Sequence, residues 1–464
     1  MFFKNIYEKG LAQASYIVGC QKTGNAIVID PKRDIDIYLE IAEQENLNIT
    51  HIAETHIHAD FLSGSLELQA NTGAEILLSD EGPPEWQYQF EHTGLKEGHI
   101  FKVGNLKFEV LHTPGHTPEH ISFVLTDTMT GDAPVMVFTG DFVFVGDIGR
   151  PDLLEKAAGL TGTQISGAEQ MFESLKKFSA LPEYVQVWPA HGAGSACGKA
   201  LGAVPSSTVG YEKKFNWAFR ITDKNEFIQT LLEGQPEPPK YFSMMKKMNK
   251  QGPAILGGIP HPARLSLKQF EQALEKNMTI IDTRDKFAYA GGHIKNSINI
   301  QANNSFTTWA GWALDYDQPF VLIADDDKIE HLTRGLLRIG LDQMHGYLAD
   351  IQTWSRAGHE LATVDQATID QISGKGTQIL DVREPNEFLQ GHIPGALNIH
   401  AGYLVEQFKK IPKDQKIVVH CLSGDRSSYA IGILKRLGMN RIVNLTGGFA
   451  AWEHAGMPIE TGAA

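Results

Sequence analysis

The chain has few cysteines and no long apolar segment. Cys20, Cys197 and Cys421 are the three cysteines among 464 residues, which is too few to suggest a disulfide framework. No apolar run is long enough to span a bilayer, and the residues after Met1 contain no signal-peptide core. These absences lead us to expect a cytoplasmic protein without a membrane partner. Cys20 and Cys197 are expected to be buried apolar residues.

Basic residues are also in the minority. There are 41 lysines and arginines against 55 aspartates and glutamates, a net charge of −14. Because no basic patch interrupts this excess, nucleic acid and anionic membranes are not expected as partners. The hydrophobic content of 42% and the charged content of 21% are typical of globular proteins. A chain of this length is expected to contain several domains.

One cysteine lies where enzymes place a nucleophile. Cys421 follows the apolar run 417–420, which predicts a buried strand, and a helix-like run begins a few residues later. Backbone N–H groups of such a loop, together with the N-terminus of the following helix, favour the thiolate. Arg426 adds a positive charge. We therefore predict a reactive cysteine rather than a structural one.

The segment from Cys421 to Arg426 resembles the active-site loop of rhodanese domains, sulfurtransferases that carry a persulfide on this cysteine. The flanking segments 381–399 and 444–452 resemble that family as well. The resemblance implies that Cys421 carries sulfur and that Arg426 takes part in catalysis. The tight six-residue loop suits sulfur, whereas related phosphatases use a longer loop for phosphate. The implied substrate-binding residues are Ser423, Gly424 and Asp425.

A second copy of these motifs lies 99 residues upstream. Residues 282–300 align without gaps on residues 381–399, a period that indicates domain duplication rather than a solenoid. Each copy alternates strand-like and helix-like runs, which predicts a parallel-sheet α/β unit. In the downstream copy, Asp381 and Arg383 are predicted to brace the active loop as an ion pair.

The upstream copy lacks the residues on which sulfur transfer depends. Its strand-like run 320–323 leads into Ala324 and the aspartates 325–327, with no cysteine. Three carboxylates would repel a sulfur anion. We predict a catalytically inactive domain that serves domain spacing or oligomer contact, and we expect a homo-oligomer. A metal site is the alternative for these aspartates, although a solvated acidic turn is favoured.

Four polar motifs in the first half of the chain each lie at or just beyond a strand-like run. They span residues 55–60, 113–120, 138–141 and 188–194. Histidines and carboxylates on loops at sheet ends can converge on one metal. The set resembles the metallo-β-lactamase superfamily, which implies an αββα sandwich over about the first 200 residues. Within that superfamily, the glyoxalase II and persulfide dioxygenase branches are the most similar.

One departure from the superfamily pattern bears on the number of metal ions. The loop usually ends in Asp-His, but here Phe61 follows Asp60. Phenylalanine cannot bind a metal, so a two-metal hydrolase would lose an essential ligand. The resemblance to persulfide dioxygenases then implies one Fe(II) per chain, with two His and one Asp as ligands. The matching positions are His56, His116 and Asp141.

The same resemblance assigns supporting roles near the metal. His58 and Asp60 are implied to orient the ligands, and His191 to orient them or take part in catalysis by binding oxygen-derived groups. Arg150, in the segment 147–152, is implied to grip the anionic part of a thiol carrier. A surface salt bridge is the alternative for Arg150.

The whole chain resembles the persulfide dioxygenase–rhodanese fusion proteins of bacterial sulfide detoxification. We therefore expect an α/β and α+β multidomain protein. The expected parts are a metallo-β-lactamase-fold dioxygenase domain at 1–240, a linker at 241–260, an inactive rhodanese-like domain at 261–357 and an active one at 358–464. Persulfides of glutathione, coenzyme A or another small thiol would react with O₂ to give sulfite and thiol. Cys421 would interconvert persulfide or sulfite with thiosulfate.

Two other functions stay open. A zinc-dependent thioester hydrolase similar to glyoxalase II, with a rhodanese appendage, is the enzymatic alternative, and Phe61 argues against it. A non-enzymatic scaffold for sulfur relay or sensing is the other, and the inactive middle domain motivates it. Metal analysis and a test for turnover distinguish the three.

Overall fold

The computed structural model describes residues 1–153, 155, 162–199, 201–372 and 377–462. The chain forms two compact units. The first comprises Met1–Ile259 with Leu337–Gly340, and the second comprises the rest from Pro260 onward. Within the described residues, every helix is too short or too polar to cross a membrane.

Two six-stranded sheets form the frame of the first unit. The strands of the first sheet lie in chain order: β1 (Phe2–Glu8), β2 (Gln13–Cys20), β3 (Asn25–Ile29), β4 (Asn48–Ala53), β5 (Glu75–Ser79) and β6 (Thr93–Leu95). Those of the second sheet, in the order β12-β11-β10-β9-β8-β7, are β7 (Ile100–Val103), β8 (Leu106–His112), β9 (Ile121–Asp127), β10 (Met136–Gly140), β11 (Gln186–Pro189) and β12 (Ser207–Thr208).

The two sheets face each other across one apolar core. In β8, alternate residues Leu106, Phe108 and Val110 are buried, as expected for a strand with one face on a core. Their cluster includes Tyr16 of the first sheet and Phe138 of the second. Among the described residues, the α-helices of this unit are α1 (Asp36–Gln44), α2 (Ser65–Thr72), α3 (Thr163–Ser179), α4 (Val209–Phe215), α5 (Lys224–Leu232) and α6 (Tyr241–Gln251).

The outer faces of the sheets are covered by helices. Tyr38 and Ile41 of α1 and Leu68 of α2 pack on the first sheet. Met171 and Phe178 of α3 pack on the second. A helix covers each sheet because its apolar stripe must be buried against an apolar sheet face. The predicted αββα sandwich is thereby confirmed.

The second unit contains two parallel sheets, as the repeat predicts. The first, in the order β14-β13-β15-β16, has β13 (Thr279–Asp282), β14 (Ile298–Asn299), β15 (Phe320–Ile323) and β16 (Met344–Leu348). The second, in the order β17-β21-β20-β18-β19, has β17 (Asp365–Ala367), β18 (Thr377–Asp381), β19 (Leu397–Asn398), β20 (Lys416–His420) and β21 (Ile442–Leu445).

Helices connect these strands in both copies. In the middle copy they are α7 (Leu267–Glu275), α8 (Lys286–Gly291), α9 (Phe306–Ala313), α10 (Ile329–Arg338) and α11 (Gln352–Arg356). In the last copy they are α12 (Ile369–Ile372), α13 (Pro385–Gln390), α14 (Asp425–Arg436) and α15 (Gly448–His454). The expected fold class, a metallo-β-lactamase sandwich followed by two α/β rhodanese-like domains, is confirmed.

The aspartates after β15 have ordinary partners. Asp325 pairs with Lys328 at 3.0 Å, and Asp326 pairs with Arg264 at 3.1 Å. Among the described residues, the groups with metal-binding geometry do not include these aspartates. This favours the solvated acidic turn.

Candidate functional site

Loops at the ends of four strands supply the histidines and carboxylates of the first unit. His56 follows β4, His116 follows β8, Asp141 comes directly after β10, and His191 lies just beyond β11. Because β10 and β11 are parallel neighbours, their carboxyl ends lie at the same edge of the sheet. Motifs that are far apart in the sequence thus bring their side chains together in one cluster.

Three of these side chains form a compact group. Nε2 of His116 lies 3.5 Å from Oδ2 of Asp141, and Nε2 of His56 lies 4.0 Å from the same oxygen. One donor atom from each of the three lies within 4.8 Å of the others, and all three residues are buried. Among the described residues, none lies in hydrogen-bond geometry with His56 Nε2 or with either oxygen of Asp141. Buried polar atoms of this kind require a partner, so the group fits a divalent cation.

Both imidazoles are held in the form that binds metals. Burial, reinforced by neighbouring histidines, keeps the pKa of His56 well below its usual value. Burial, with the charge of Lys246, lowers the pKa of His116 to about 3. His116 Nδ1 lies 2.9 Å from the carbonyl of Arg150. Since a carbonyl can only accept, Nδ1 carries the proton, and the lone pair of Nε2 faces Asp141.

A second buried group adjoins the first through Asp141. His191 Nε2 lies 3.4 Å from Asp141 Oδ1 and 3.3 Å from Asp60 Oδ2. Cys197 completes this group, with donor atoms again within 4.8 Å of one another. Cys197 is buried, as the sequence predicted, but it lies beside carboxylates rather than in the apolar surroundings that were expected. Burial, followed by the charges of Asp141 and Asp60, raises the pKa of the Cys197 thiol well above its usual value.

His58 anchors the loop that follows β4 by contacting Asp30. Its Nε2 lies 2.9 Å from Asp30 Oδ1, and the same oxygen accepts a hydrogen bond from the backbone N–H of Thr55 at 2.8 Å. Burial lowers the pKa of His58, but Asp30 outweighs burial and raises it to about 9. Phe61 is fully buried, and its ring lies 4.3 Å from that of His58.

Asn249 of α6 fixes the same loop, and sequence reasoning did not single it out. Its Nδ2 donates to the carbonyls of His58, at 2.8 Å, and Phe61, at 2.7 Å. Its Oδ1 accepts from the backbone N–H of Ser63 at 2.8 Å. These three bonds hold the segment 58–63, which begins two residues after His56.

We expect Asn249→Ala to weaken metal binding by about tenfold, as for other side chains that orient ligands. The loop loses three hydrogen bonds without losing a ligand. Competition with a chelator, followed by metal analysis, measures the change. Asn71→Ala is a matched control, because Asn71 donates within its own helix to the carbonyl of Glu67. Equal metal retention by both variants would contradict the role of Asn249.

Arg150 is fully buried and committed to other partners. Its Nε and Nη2 donate to Asp152 at 2.7 and 2.6 Å, and its Nη1 donates to the carbonyls of Ala196 and Pro236. This arrangement favours a bracing role over contact with a thiol carrier. It also differs from the exposed salt bridge considered as the alternative.

In the last copy, Cys421 lies directly after β20, and α14 begins at Asp425. The backbone N–H of Gly424 donates to Sγ of Cys421 at 3.1 Å. Gly424 has a φ of +117°, a left-handed conformation that other residues rarely adopt. The loop therefore turns its N–H toward the sulfur, and the amino end of α14 lies beside it.

Arg426 forms an ion pair with Glu387, a residue to which the sequence analysis gave no role. Both terminal nitrogens of Arg426 donate to the carboxylate of Glu387, one at 2.9 Å. Burial raises the pKa of Glu387, but hydrogen bonds from Arg426 and its charge outweigh burial and hold that pKa below its usual value. Glu387 lies in α13, so this pair ties the active loop to a separate helix.

We expect Glu387→Gln to lower stability at pH 7 by about 1 kcal/mol, since the pair is partly exposed. The folded-state pKa is depressed, so the stabilisation is complete above the usual glutamate pKa of about 4.3 and is lost as pH falls through the lower folded value. The gap in thermal midpoint between wild type and variant should therefore shrink in acid. A constant gap at all pH values would contradict this.

Asp381 and Arg383 form a closed pair beneath the loop. Arg383 Nη2 donates to Asp381 Oδ2 at 2.6 Å and to the carbonyl of Gly391 at 2.8 Å. The middle copy repeats this geometry, with Arg284 donating to Asp282 at 2.6 Å and to Gly292 at 2.8 Å. The bracing element is thus present in both copies, whereas the cysteine is present in one.

Comparison with known proteins agrees with this architecture. Residues 9–191 match the metallo-beta-lactamase superfamily, and residues 266–357 and 365–455 each match the rhodanese-like domain. A crystal structure of a metallo-beta-lactamase from Staphylococcus aureus subsp. aureus COL is 46% identical. It covers 75% of this chain and 99% of its own, with a TM-score of 0.71.

Two further relatives resemble the first unit. ETHE1 from Myxococcus xanthus is 26% identical over 54% of this chain and 98% of its own, with a TM-score of 0.45. A hydroxyacylglutathione hydrolase from Rhodospirillum rubrum is 34% identical over 38% of this chain. The chain spans 60% of that hydrolase's length. Because the chain is 46% identical to the metallo-beta-lactamase from Staphylococcus aureus and covers 99% of it, it belongs to the metallo-β-lactamase superfamily, and two rhodanese-like domains follow its metallo-β-lactamase domain.

Proposed function

We propose that the first unit is a mononuclear Fe(II) persulfide dioxygenase and that the Cys421 domain is a sulfurtransferase, which together detoxify sulfide. The observation that carries the proposal is the buried group of His56, His116 and Asp141, in which His56 Nε2 and both Asp141 oxygens lack a hydrogen-bond partner among the described residues. Two imidazoles and one carboxylate are the donor set of non-haem iron oxygenases. Phe61 follows Asp60, where the superfamily pattern usually has a histidine, and its side chain cannot bind a second metal.

In the overall reaction, a thiol persulfide, O₂ and water give a thiol and sulfite. The terminal sulfur is oxidised while O₂ is reduced, and water supplies the third oxygen of sulfite. When bound, Fe(II) supplies open positions at which persulfide and O₂ can react. His56, His116 and Asp141 would hold the ion in a buried site, while His191, whose Nε2 lies near both Asp60 and Asp141, would orient the Asp141 carboxylate and exchange protons.

The Cys421 domain carries the second reaction. Sulfite attacks the outer sulfur of a Cys421 persulfide, the S–S bond breaks, and thiosulfate and the Cys421 thiolate are formed. The N–H of Gly424, at 3.1 Å from Sγ, stabilises the thiolate that leaves. The reverse transfer, from thiosulfate to a thiol, uses the same donor.

Metal content and O₂ uptake test the proposal. The purified protein is expected to hold about one iron per chain, bound by the group of His56, His116 and Asp141. It should consume O₂ with the persulfide of glutathione, coenzyme A or another small thiol, and not with the parent thiol. Thioester hydrolysis without O₂ uptake would contradict the dioxygenase assignment.

A zinc-dependent thioester hydrolase is the second candidate. The similarity of the first unit to a hydroxyacylglutathione hydrolase favours it. It requires zinc in the purified protein and hydrolysis of a glutathione thioester in the absence of O₂. The same metal analysis and assay therefore decide between the two candidates.

A further inference from the structure

A lysine of the inactive middle copy lies against the Cys421 loop. Nζ of Lys286 lies 2.6 Å from Oδ1 of Asp425 and donates to the carbonyl of Ser423 at 3.0 Å. A Cβ placed on Gly424 would lie 3.3 Å from Cδ of Lys286. The lysine stem thus covers the residue whose N–H binds the sulfur. About 20% of this side chain is exposed.

This contact is fixed by the docking of α14 on the middle copy. Oγ of Ser428 donates to Oδ1 of Asn299 at 2.7 Å, and both residues are buried. The ring of Tyr429 lies 4.8 Å from that of Trp309. Since α14 begins at the active loop, these contacts hold Lys286 beside it.

The charges around the loop indicate what Lys286 contributes to the electrostatic potential there. Arg426 is paired with Glu387, so its charge is largely offset. Asp425 is half-exposed at the start of α14 and forms its ion pair with Lys286. Sulfite, thiosulfate and persulfides are anions, and an uncompensated Asp425 would repel them. Lys286 removes that repulsion.

A cavity beside the loop is bounded by both copies. Its volume is about 160 Å³, and its lining includes Lys286 and Phe287 from the middle copy and Ser423, Gly424 and Ser428 from the last. The cavity borders the loop at Ser423 and Gly424 and has room for several waters or a small sulfur oxyanion. The ammonium of Lys286 is the charged group in its lining.

We propose that Lys286 is a specificity-determining residue of the Cys421 site, which neutralises Asp425 and thereby admits anionic sulfur donors and acceptors. The proposal rests on the sulfurtransferase function proposed above. It gives the inactive copy a part in the active site, in addition to the spacing or oligomer contact expected from sequence.

Alkylation of Cys421 tests this without requiring sulfur transfer. Iodoacetate is an anion and iodoacetamide is neutral, so the ratio of their rates reports the potential at the sulfur. Peptide mass mapping identifies the product at Cys421. We expect Lys286→Gln to lower the iodoacetate-to-iodoacetamide ratio about fivefold, and Lys286→Arg to keep it. An unchanged ratio in Lys286→Gln would overturn the proposal.

Combined variants identify Asp425 as the group that Lys286 neutralises. Adding Asp425→Asn to Lys286→Gln should restore the ratio to within about twofold of wild type, since no uncompensated charge remains. Lys328→Gln is the matched control, because it breaks a lysine–aspartate pair, Lys328 with Asp325, within the middle copy. A ratio that stays low in the double variant, or falls equally in the control, would overturn the proposal.

A transfer assay links the effect to function. Lys286→Gln is expected to raise the KM for thiosulfate about fivefold and to change kcat less, because the repulsion acts on binding. A fall in kcat at unchanged KM would contradict the assigned role. If wild type transfers no sulfur, the sulfurtransferase function fails, while the alkylation ratio still decides the electrostatic role.

Discussion

Replacing Cys421 with serine is expected to abolish thiosulfate–thiol sulfur transfer and to leave persulfide-dependent O₂ uptake unchanged. The fall in transfer should be a thousandfold or more, roughly that seen when a covalent nucleophile is removed. Serine keeps the size of the side chain but cannot carry a persulfide. Transfer is measured from thiosulfate to a small thiol, and O₂ uptake with an oxygen electrode.

Cys20→Ser is the control for this experiment. Cys20 is buried in β2, where its sulfur accepts a hydrogen bond from the backbone N–H of Asn105. This variant should retain both activities. Sulfur transfer by Cys421→Ser at the wild-type rate would show that Cys421 is not the residue that carries sulfur. A parallel loss of O₂ uptake would mean that the two reactions depend on one site.

Replacing His116 with alanine is expected to have the opposite effect. One of the three proposed metal ligands is lost from a buried site, and we expect that the remaining donors, His56 and Asp141, do not retain the ion. Iron should fall well below one per chain, and O₂ uptake should fall by on the order of a thousandfold. Thiosulfate transfer should stay within about twofold of wild type, because Cys421 needs no metal.

His99→Ala is the matched control, since His99 is exposed and belongs to neither metal-binding group. Its iron content and O₂ uptake should equal those of wild type. Full iron occupancy in His116→Ala would contradict the proposed ligand set. Loss of sulfur transfer in the same variant would contradict the independence of the two sites.

The sequence predicted the parts of both sites that depend on local order. Each motif follows an apolar run, and each run became a strand whose end places the motif at a sheet edge. His56, His116 and Asp141 therefore converge by topology alone, because the sandwich allows few arrangements of such strands. The position of Cys421 between a strand and a helix could also be predicted, since strand, loop and helix are consecutive in the chain.

Contacts between distant segments were beyond the reach of the sequence. Asn249 lies about 190 residues from the loop it holds, and Lys286 lies 139 residues from Asp425. Asn249 belongs to no motif, and Lys286, although it lies within the repeated segment 282–300, is not one of the residues that recur in the second copy. Their roles arise because packing brings one polar group within hydrogen-bond range of another, which no local pattern records.

The sequence by itself thus determined which side chains are available for chemistry: one cysteine in a rhodanese-like loop, and histidines and carboxylates that fit a metal. Tertiary structure decided which charged side chains are neutralised by a partner and which can still act on a substrate. It paired Arg426 with Glu387, committed Arg150 to Asp152, and set Lys286 against Asp425. The physical reason is that the effect of a charge depends on its neighbours and its burial, and both are fixed only when the chain has folded.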